Sequence, residues 1–343
     1  MLGVIGDLHL KQNLGYFQLF KDGREKERDD VLDYIVQELK DCDPIVLLGD
    51  QLNSRNNSSE TLKTFVSFLK KFNGKTVYIL GGNHEKFGDG RSALDFLKKL
   101  DKPEWKVITD SVITAEGRDY TFCPYFTKSE LGVETNEEGV AKVMKMLPGG
   151  KILFIHHAIS GSKSTSGAMT DIFDEIVLPR DELEKRYEMI IGGHIHRWSI
   201  LNNTIVAGSV FNNIAGETSS RIWKIAPMDM NYYPIEVPCR GIYKIENEIV
   251  DLSNLPKNSI INFIVSDPKL KGEIGSIKQI LKRFDGYTLS EQYPRERKKL
   301  HFEEGIYEFE LDKLLEIYAK ERSIDLKQLK AGLKLIEYYD QKE

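Results

Sequence analysis

Short apolar runs alternate with amphipathic segments through residues 1 to about 225 of the chain. A run without polar interruption is typical of a strand that is buried on both faces of a sheet. The pattern predicts such strands at Val4-Ile5, Pro44–Leu48, Thr76–Leu80, Ile152–Ile155, Met189–Ile191 and Thr204–Ala207. Two other segments, Lys106–Val112 and Asp119–Pro124, are expected to pair as a hairpin.

Apolar residues recur at helical spacing between the first strands. They predict one helix over Asp29–Leu39 and another over Thr61–Leu69, with Ser58 or Ser59 as the cap of the second helix. An alternation of strand, helix and strand favours a layered α/β domain.

Proline and glycine cluster between Ala226 and Gly241, which predicts a domain boundary there. Beyond it, a strand over Ser259–Val265 and a helix over Gly275–Phe284 predict a small α/β unit. The last forty or so residues carry the apolar stripes of two helices, which either pack on their own domain or dock on a partner. The predicted domains are therefore residues 1–228, 229–302 and 303–343.

Composition narrows the class of protein. The chain has 343 residues, a net charge of −5 and a mean hydropathy of −0.37, and it contains no long apolar run, so no contact with a membrane is expected. Its three cysteines form no Cys-x-x-Cys pair, which favours a reducing cytoplasm over a disulfide framework. Residues 269–299 contain nine Lys and Arg residues and four Asp and Glu residues. This excess of positive charge indicates either a solvated face or a surface that binds phosphates.

Six of the seven histidines lie in four short motifs, each directly after a predicted strand. A fifth motif, Gly49-Asp50, follows the strand that ends at Leu48. The histidine motifs are Asp7-Leu8-His9, Gly82-Asn83-His84-Glu85, His156-His157 and Gly192-Gly193-His194-Ile195-His196. Because ligand-binding loops meet at the carboxyl ends of strands in an α/β sheet, these motifs are expected to converge.

Carboxylates and imidazoles at one point suit two adjacent divalent cations. Nitrogen and oxygen donors without thiolate favour Mn, Fe or Zn, and Asp50 is the natural carboxylate to bridge the two cations. Two such cations lower the pKa of bound water and clamp a phosphate, so that no protein nucleophile is needed. A P-loop sequence is absent, so ATP hydrolysis of that kind is not expected.

The five motifs in this order resemble the signature of the calcineurin-like metallophosphoesterases, over residues 1 to about 225. The resemblance implies a four-layered α/β/β/α sandwich. It implies one metal held by Asp7, His9, Asp50 and His196. It implies a second held by Asp50, Asn83, His156 and His194. His84 would contact the scissile phosphate and assist the leaving group, whereas His157 is expected to be structural.

Within that superfamily the chain is most similar to the SbcD-type nuclease subunits, which include bacteriophage recombination-endonuclease subunits. The similarity rests on the opening Gly6–Leu10, on Gly208-Ser209-Val210 with the nearby Glu217, and on the sequence layout after the phosphoesterase domain. That layout implies a small α/β capping domain followed by C-terminal helices.

The family resemblance also implies partners and a reaction. Such subunits pair, usually as homodimers, with an SMC-like coiled-coil ATPase of the SbcC type. They degrade DNA in recombination and repair, as 3′-to-5′ exonucleases and as endonucleases, and they use two divalent metal ions. Mn²⁺ is the metal expected here, and Mg²⁺, Fe²⁺ and Zn²⁺ are the alternatives. The helices Asp29–Leu39 and Thr61–Leu69 lie where the family builds its dimer. A cytoplasmic location in a bacterial or phage-infected cell follows.

Some positions depart from the family pattern. Asn53 stands where the family has Asp or His, which bears on the steering of DNA ends, and Glu85 and Val210 replace a more usual Asp and Pro. Arg55 matches an arginine of the same loop and would contact a phosphate or form a surface ion pair.

Two other functions remain open at this point. One is a phosphomonoesterase or cyclic-nucleotide phosphodiesterase of the same fold, which would need no capping domain or partner helices. The other is a non-catalytic scaffold, which degenerate ligand positions would mark. The loop Gly49–Arg55 lacks the Asp-Arg-Gly sequence of the Ser/Thr protein phosphatases, which disfavours that subclass.

Overall fold

The computed structural model describes residues 1–292, apart from residues 22, 116, 118, 167, 171–174 and 249–251. The described residues all lie in one compact unit, Met1–Tyr293. The helices predicted for residues 303–343 lie outside the described residues.

Strands and helices alternate through most of the described chain. The strands are β1 (Leu2–Ile5), β2 (Ile45–Leu47), β3 (Val77–Leu80), β4 (Trp105–Ile108), β5 (Ile113–Ala115), β6 (Tyr120–Cys123), β7 (Gly150–Ile155), β8 (Ala158–Ile159), β9 (Val177–Leu178), β10 (Tyr187–Gly192), β11 (Ser199–Leu201), β12 (Thr204–Val206), β13 (Ser220–Ala226), β14 (Asn231–Val237), β15 (Ile242–Glu246), β16 (Ile260–Val265) and β17 (Gly286–Glu291). The α-helices are α1 (Glu25–Glu38), α2 (Ser59–Lys70), α3 (Lys128–Leu131), α4 (Asn136–Met146), α5 (Arg180–Glu184) and α6 (Ile274–Leu281).

Two six-stranded sheets face each other. The first has the order β14-β13-β1-β2-β3-β4, in which β1 to β4 are parallel. The second has the order β11-β12-β10-β7-β6-β5, in which β12, β10, β7 and β6 are parallel. The carboxyl ends of the central parallel strands of each sheet are therefore available to carry ligand-binding loops.

Three apolar cores hold the layers together. The middle core joins the sheets through side chains such as Val46, Phe154 and Trp223, whose indole Nε1 donates to Ala207 O at 3.1 Å. One outer core packs α1 and α2 on the first sheet, and the other packs α4 and α5 on the second. This arrangement confirms the predicted α/β/β/α sandwich.

The predicted helix caps and most strand positions are confirmed. Helix α2 begins after Ser58, whose side chain accepts a hydrogen bond from Thr61 N, as the capping pattern predicted. Helix α1 begins at Glu25, earlier than the apolar stripe indicated.

The hairpin expected from Lys106–Val112 and Asp119–Pro124 is wrong. Strand β4 pairs in parallel with β3 in the first sheet. Strand β6 lies in the second sheet, antiparallel to β5 and parallel to β7. The chain crosses between the sheets here because each of the two segments completes the core of a different sheet.

The first sheet continues past the predicted boundary at residue 228. Strand β14 forms its edge, paired with β13 as far as Val237. A separate parallel sheet of β15, β16 and β17 follows, and α6 packs on it through Ile277 and Leu281. Arg240 connects this region to α1, because its guanidinium pairs with both Glu27 and Asp285. In the described ranges, no helix is both long enough and apolar enough to span a bilayer.

Candidate metal centre

The predicted ligands all follow strands of the two sheets. Asp7 and His9 follow β1, Asp50 follows β2, Asn83 follows β3, His156 follows β7, and His194 and His196 follow β10. The structure brings all seven together between the carboxyl ends of the parallel strands; they are called the metal centre below.

Their donor atoms form two groups, and a third group of His9, Asp50 and His84 shares one residue with each of them. One atom from each of Asp7, His9 and His196 lies within 4.8 Å of the other two. Asp50, His156 and His194 form a second such group. Each group contains three of the four residues of one ligand set that the family resemblance implied.

Asp50 joins the two groups. Its Oδ2 lies 3.8 Å from His9 Nε2 and 3.4 Å from His156 Nε2. Its Oδ1 accepts the main-chain N–H of His84 at 2.9 Å, which fixes the carboxylate between the loops after β2 and β3. This is the position that a bridging carboxylate requires.

Asn83 completes the second group with a neutral oxygen. Its Oδ1 lies 3.2 Å from His156 Nε2 and 2.9 Å from His194 Nδ1. An amide oxygen adds a donor without adding a second negative charge beside Asp50.

Three of the histidines are oriented by an oxygen on the ring nitrogen that points away from the cluster. Leu48 O lies 2.7 Å from His156 Nδ1, a Glu175 carboxylate oxygen lies 2.7 Å from His194 Nε2, and a Glu217 carboxylate oxygen lies 2.6 Å from His196 Nδ1. An oxygen acceptor places the ring hydrogen on the outer nitrogen, which leaves the inner nitrogen as an acceptor for a metal.

The donor set fits divalent cations. Within the described chain, Asp7 Oδ2 is buried without a hydrogen-bond partner. The Nε2 atoms of His9 and His196 lie 2.7 Å apart. Two nitrogen lone pairs repel each other at this distance, and a cation bound to both nitrogens would remove that repulsion. All the donors are nitrogen or oxygen, as Mn²⁺, Fe²⁺ and Zn²⁺ sites require.

Burial and the charge of Asp50 act in opposite directions on the histidines of the centre. Burial lowers the pKa of His9 to about 3, so this ring is a neutral donor. Burial also disfavours charge on His156, but the carboxylate of Asp50 outweighs it and raises the pKa of His156 to about 9. Asp50 therefore stabilises positive charge beside His156, and a divalent cation there would displace the proton from the inner nitrogen of that ring.

His84 lies at the open side of the centre. Its side chain is 42% exposed, and its Nε2 is 3.9 Å from Asp50 Oδ2. Its Nδ1 lies 2.9 Å from the main-chain oxygen of Asn53. Asn53 therefore orients His84 through its backbone, a contact that does not depend on which side chain stands at that position.

The other predicted contact residue is not part of the cluster. Arg55 is exposed, and it has neither an ion pair nor a hydrogen bond to the part of the chain that the structure describes. His157 lies behind the centre, where its Nε2 accepts the main-chain N–H of Phe126 at 3.1 Å.

The side chain of Glu85 holds together the two ligand loops that follow β2 and β3. It is fully buried, and its carboxylate accepts main-chain N–H groups from Asp50 at 3.2 Å, Leu52 at 2.8 Å and Gly82 at 2.9 Å. Burial, followed by the charge of Asp50, raises the pKa of Glu85 to about 8.

Replacing Glu85 by Ala is expected to destabilise the fold by about 3 kcal/mol or more, because three buried N–H groups lose their acceptor. Glu85→Gln retains an acceptor oxygen and is expected to lose less than Glu85→Ala. Urea unfolding followed by circular dichroism measures both free energies. Equal stability of Glu85→Ala and the wild type would contradict the role described.

Glu175 and Glu217 were not predicted as site residues. Glu217 was noted only as part of a family-like stretch, and Glu175 carried no pattern at all. Each glutamate reaches its histidine only when the loop that carries it folds back on the centre. No local spacing in the sequence therefore identifies either residue. Glu217 also accepts the main-chain N–H of Ile214 at 2.9 Å, which holds its own loop.

Glu217→Gln is expected to weaken Mn²⁺ binding by roughly tenfold or more, because an outer carboxylate that orients a ligating imidazole contributes that much to metal affinity. Isothermal titration with Mn²⁺ measures it. Glu188→Gln is the matched control, because Glu188 is exposed on β10 and contacts no ligand through its side chain. Unchanged Mn²⁺ affinity in a folded Glu217→Gln protein would exclude the positioning role.

Three of the ligands have unusual backbone conformations. His9, Asp50 and His194 have φ values of +44°, +48° and +76°. Residues other than glycine rarely adopt this left-handed backbone conformation. Each such residue turns the chain sharply at the end of its strand and so directs its side chain into the centre.

Known proteins were compared with the chain. The family described as calcineurin-like phosphoesterase matches residues 2–198. A solved structure described as a novel archaeal phosphodiesterase is similar at 10% identity, over 69% of this chain and 99% of that one, with a TM-score of 0.35. Another solved structure is similar at 14% identity, over 69% and 98%, with a TM-score of 0.42. No curated protein matches.

The family match covers more than half of the chain and includes all five motifs in full. The matched range contains the candidate ligands that the two sheets bring together. The chain therefore belongs to the calcineurin-like phosphoesterase family and is a metal-dependent phosphoester hydrolase.

Proposed function

We propose that the chain is a manganese-dependent DNA nuclease subunit of the SbcD type that cleaves phosphodiester bonds. The observation that carries this proposal is the complete set of candidate ligands, in which Asp50 lies between two ligand groups with His84 at the open side. An arrangement of this kind suits in-line attack on a phosphodiester without a covalent intermediate.

The chain's own residues divide the chemistry between them. When two divalent cations are bound, they supply positive charge for the phosphate oxygens and lower the pKa of a water molecule. His84 is positioned to give a proton to the leaving oxygen, because Asn53 O holds its Nδ1 and leaves Nε2 facing the centre. Asp50 holds the His84 loop through its Oδ1, so the acid and the ligands are fixed relative to each other.

The part of the chain after the first sheet supports a nucleic-acid substrate. Helix α6 and the segments directly before and after it carry the exposed side chains of Lys269, Lys278, Lys282 and Arg283. Glu273 and Asp285 are exposed acidic residues of the same stretch. A local basic surface of this kind contacts phosphates in an otherwise acidic protein.

Partners and metal identity are also part of this proposal. Mn²⁺ is proposed because nitrogen and oxygen donors with one amide oxygen suit it. A homodimer, an SMC-like ATPase of the SbcC type and a cytoplasmic location complete the proposal. Residues 303–343 are proposed as the segment that binds the ATPase.

Deletion of residues 306–343 is expected to abolish co-purification with a co-expressed ATPase of this type and to leave Mn²⁺ binding intact.

A cleavage assay tests the function. The purified chain is incubated with end-labelled single-stranded and duplex DNA and Mn²⁺, with EDTA as the control. Shortened and internally cut products that appear only with the metal support the proposal. Rapid hydrolysis of p-nitrophenyl phosphate or cyclic AMP without any DNA cleavage would instead support the small-molecule phosphatase or phosphodiesterase.

A further inference from the structure

A polar cavity of about 410 Å³ opens beside the metal centre, on the side of His196. The residues that form it and matter here are Thr165, His196, Arg197, Trp198, Thr218 and Ser219. Because His196 belongs to both, the cavity adjoins the metal centre.

The indole wall of this cavity is rigid. Trp198 Nε1 donates to Ser219 Oγ at 2.9 Å, and the guanidinium of Arg221 lies 3.7 Å from the centre of the Trp198 ring. Gly208, at φ +81°, lets the chain pass so close that a Cβ there would lie 2.9 Å from Trp198 Cβ. The aromatic side chain is therefore held in place before any ligand arrives, which limits the entropy lost on binding.

The cavity also presents an unpaired cation. Arg197 is exposed and has no ion pair or hydrogen-bond partner among residues 1–292 as far as these are described. An arginine remains charged at any ordinary pH, and its planar fork matches the oxygens of a phosphate. The hydroxyls of Thr165, Thr218 and Ser219 also line the cavity and suit sugar and phosphate oxygens. Glu217 lines it too, but its side chain is only 3% exposed, and its carboxylate is bound to His196 Nδ1 and to the main-chain N–H of Ile214.

The size of the cavity indicates what it holds. A phosphate in the metal centre would not fill a second space of about 410 Å³, which lies at the small end of ligand pockets. A single nucleoside with its next phosphate is of that size and combines an aromatic base with hydroxyl and anionic groups. Bases pack on aromatic walls, and phosphates bind arginine.

We infer that this cavity is a nucleotide subsite, in which Arg197 binds the phosphodiester next to the one cleaved and the nucleoside between them packs along Trp198. This inference rests on the proposed function and deepens it. It explains how a centre that reacts with any phosphoester would favour a polynucleotide over a small ester.

Two chromogenic diesters with the same leaving group test the subsite. Bis(p-nitrophenyl) phosphate has no nucleoside, whereas the p-nitrophenyl ester of a dinucleotide 5′-phosphate extends into the cavity. Arg197→Ala is expected to lower the ratio of kcat/KM for the nucleotide substrate over that for the simple diester by roughly tenfold, since a charge-assisted hydrogen bond is lost. Arg197→Lys is expected to restore part of the ratio. An unchanged ratio in Arg197→Ala would overturn the inference.

A binding measurement separates the subsite from the reaction. Calorimetric titration of thymidylyl-thymidine 5′-phosphate in EDTA is expected to show weaker binding to Arg197→Ala than to the wild type, by roughly tenfold. Lys145→Ala is the matched control, because Lys145 is exposed on α4 and does not line the cavity. If the wild type hydrolyses neither diester, the proposed function fails, and this titration alone decides on the subsite. Binding that is equal in both proteins, or absent in the wild type, refutes it.

Discussion

Replacing Asp50 by Asn is expected to reduce phosphodiester hydrolysis by about a thousandfold or more, because the one carboxylate between the two ligand groups loses its charge. The amide keeps the shape of the side chain and an oxygen that accepts the His84 main-chain N–H. The loss is therefore electrostatic rather than a loss of fold. The rate of bis(p-nitrophenyl) phosphate hydrolysis with Mn²⁺ measures it.

The same variant is expected to bind fewer metal ions. Elemental analysis after gel filtration gives the number of Mn²⁺ per chain, and Asp101→Asn is the control, because Asp101 is exposed and remote in sequence from every ligand motif. If Asp50→Asn kept a tenth of the wild-type rate and a full complement of metal, Asp50 would not be the bridge.

Replacing His84 by Gln is expected to slow cleavage by a hundredfold or more while the number of bound metal ions stays the same, since general-acid catalysis contributes roughly 10²- to 10⁴-fold. The His84 ring approaches Asp50 only to 3.9 Å and is partly open to solvent, and the main-chain N–H that Asp50 accepts is kept, so the substitution leaves the ligand set in place. Steady-state kinetics on DNA with Mn²⁺ measure the loss.

The leaving group distinguishes an acid from a mere contact. A nitrophenolate leaves without a proton, whereas a deoxyribose oxygen needs one. The loss in His84→Gln should therefore be smaller for a nitrophenyl diester than for DNA. Equal losses on both substrates would assign His84 to phosphate binding instead of proton transfer.

Much of the fold was predictable because parallel strands impose an order on the chain. Each buried run was placed from its apolar residues alone, and the carboxyl ends of such strands must meet at one edge of a sheet. That rule placed Asp7, Asp50 and Asn83 near one another, because they follow neighbouring strands of the first sheet. The helix cap at Ser58 was equally local. His156 follows β7 of the second sheet, so its approach to Asp50 depends on how the two sheets face each other.

What could not be predicted depends on contacts between distant segments. Strands β4 and β6 are close in sequence and resemble a hairpin, yet each completes a different sheet, because the choice is made by the cores that they cover. Pro234 belongs to the proline and glycine cluster that predicts a domain boundary, and it lies in β14 at the edge of the first sheet. A proline is tolerated there, where one side of the strand has no neighbour.

The left-handed turns at His9, Asp50 and His194 have a consequence for the evolution of this protein. Each holds the backbone in a state that is less favourable by about 1 kcal/mol, which the surrounding fold must offset. A glycine at any of these positions would relax the turn but remove a ligand. Selection for thermal robustness alone would therefore tend to erode the catalytic apparatus, and engineering of a hardier variant should leave these three turns untouched and seek its gains elsewhere.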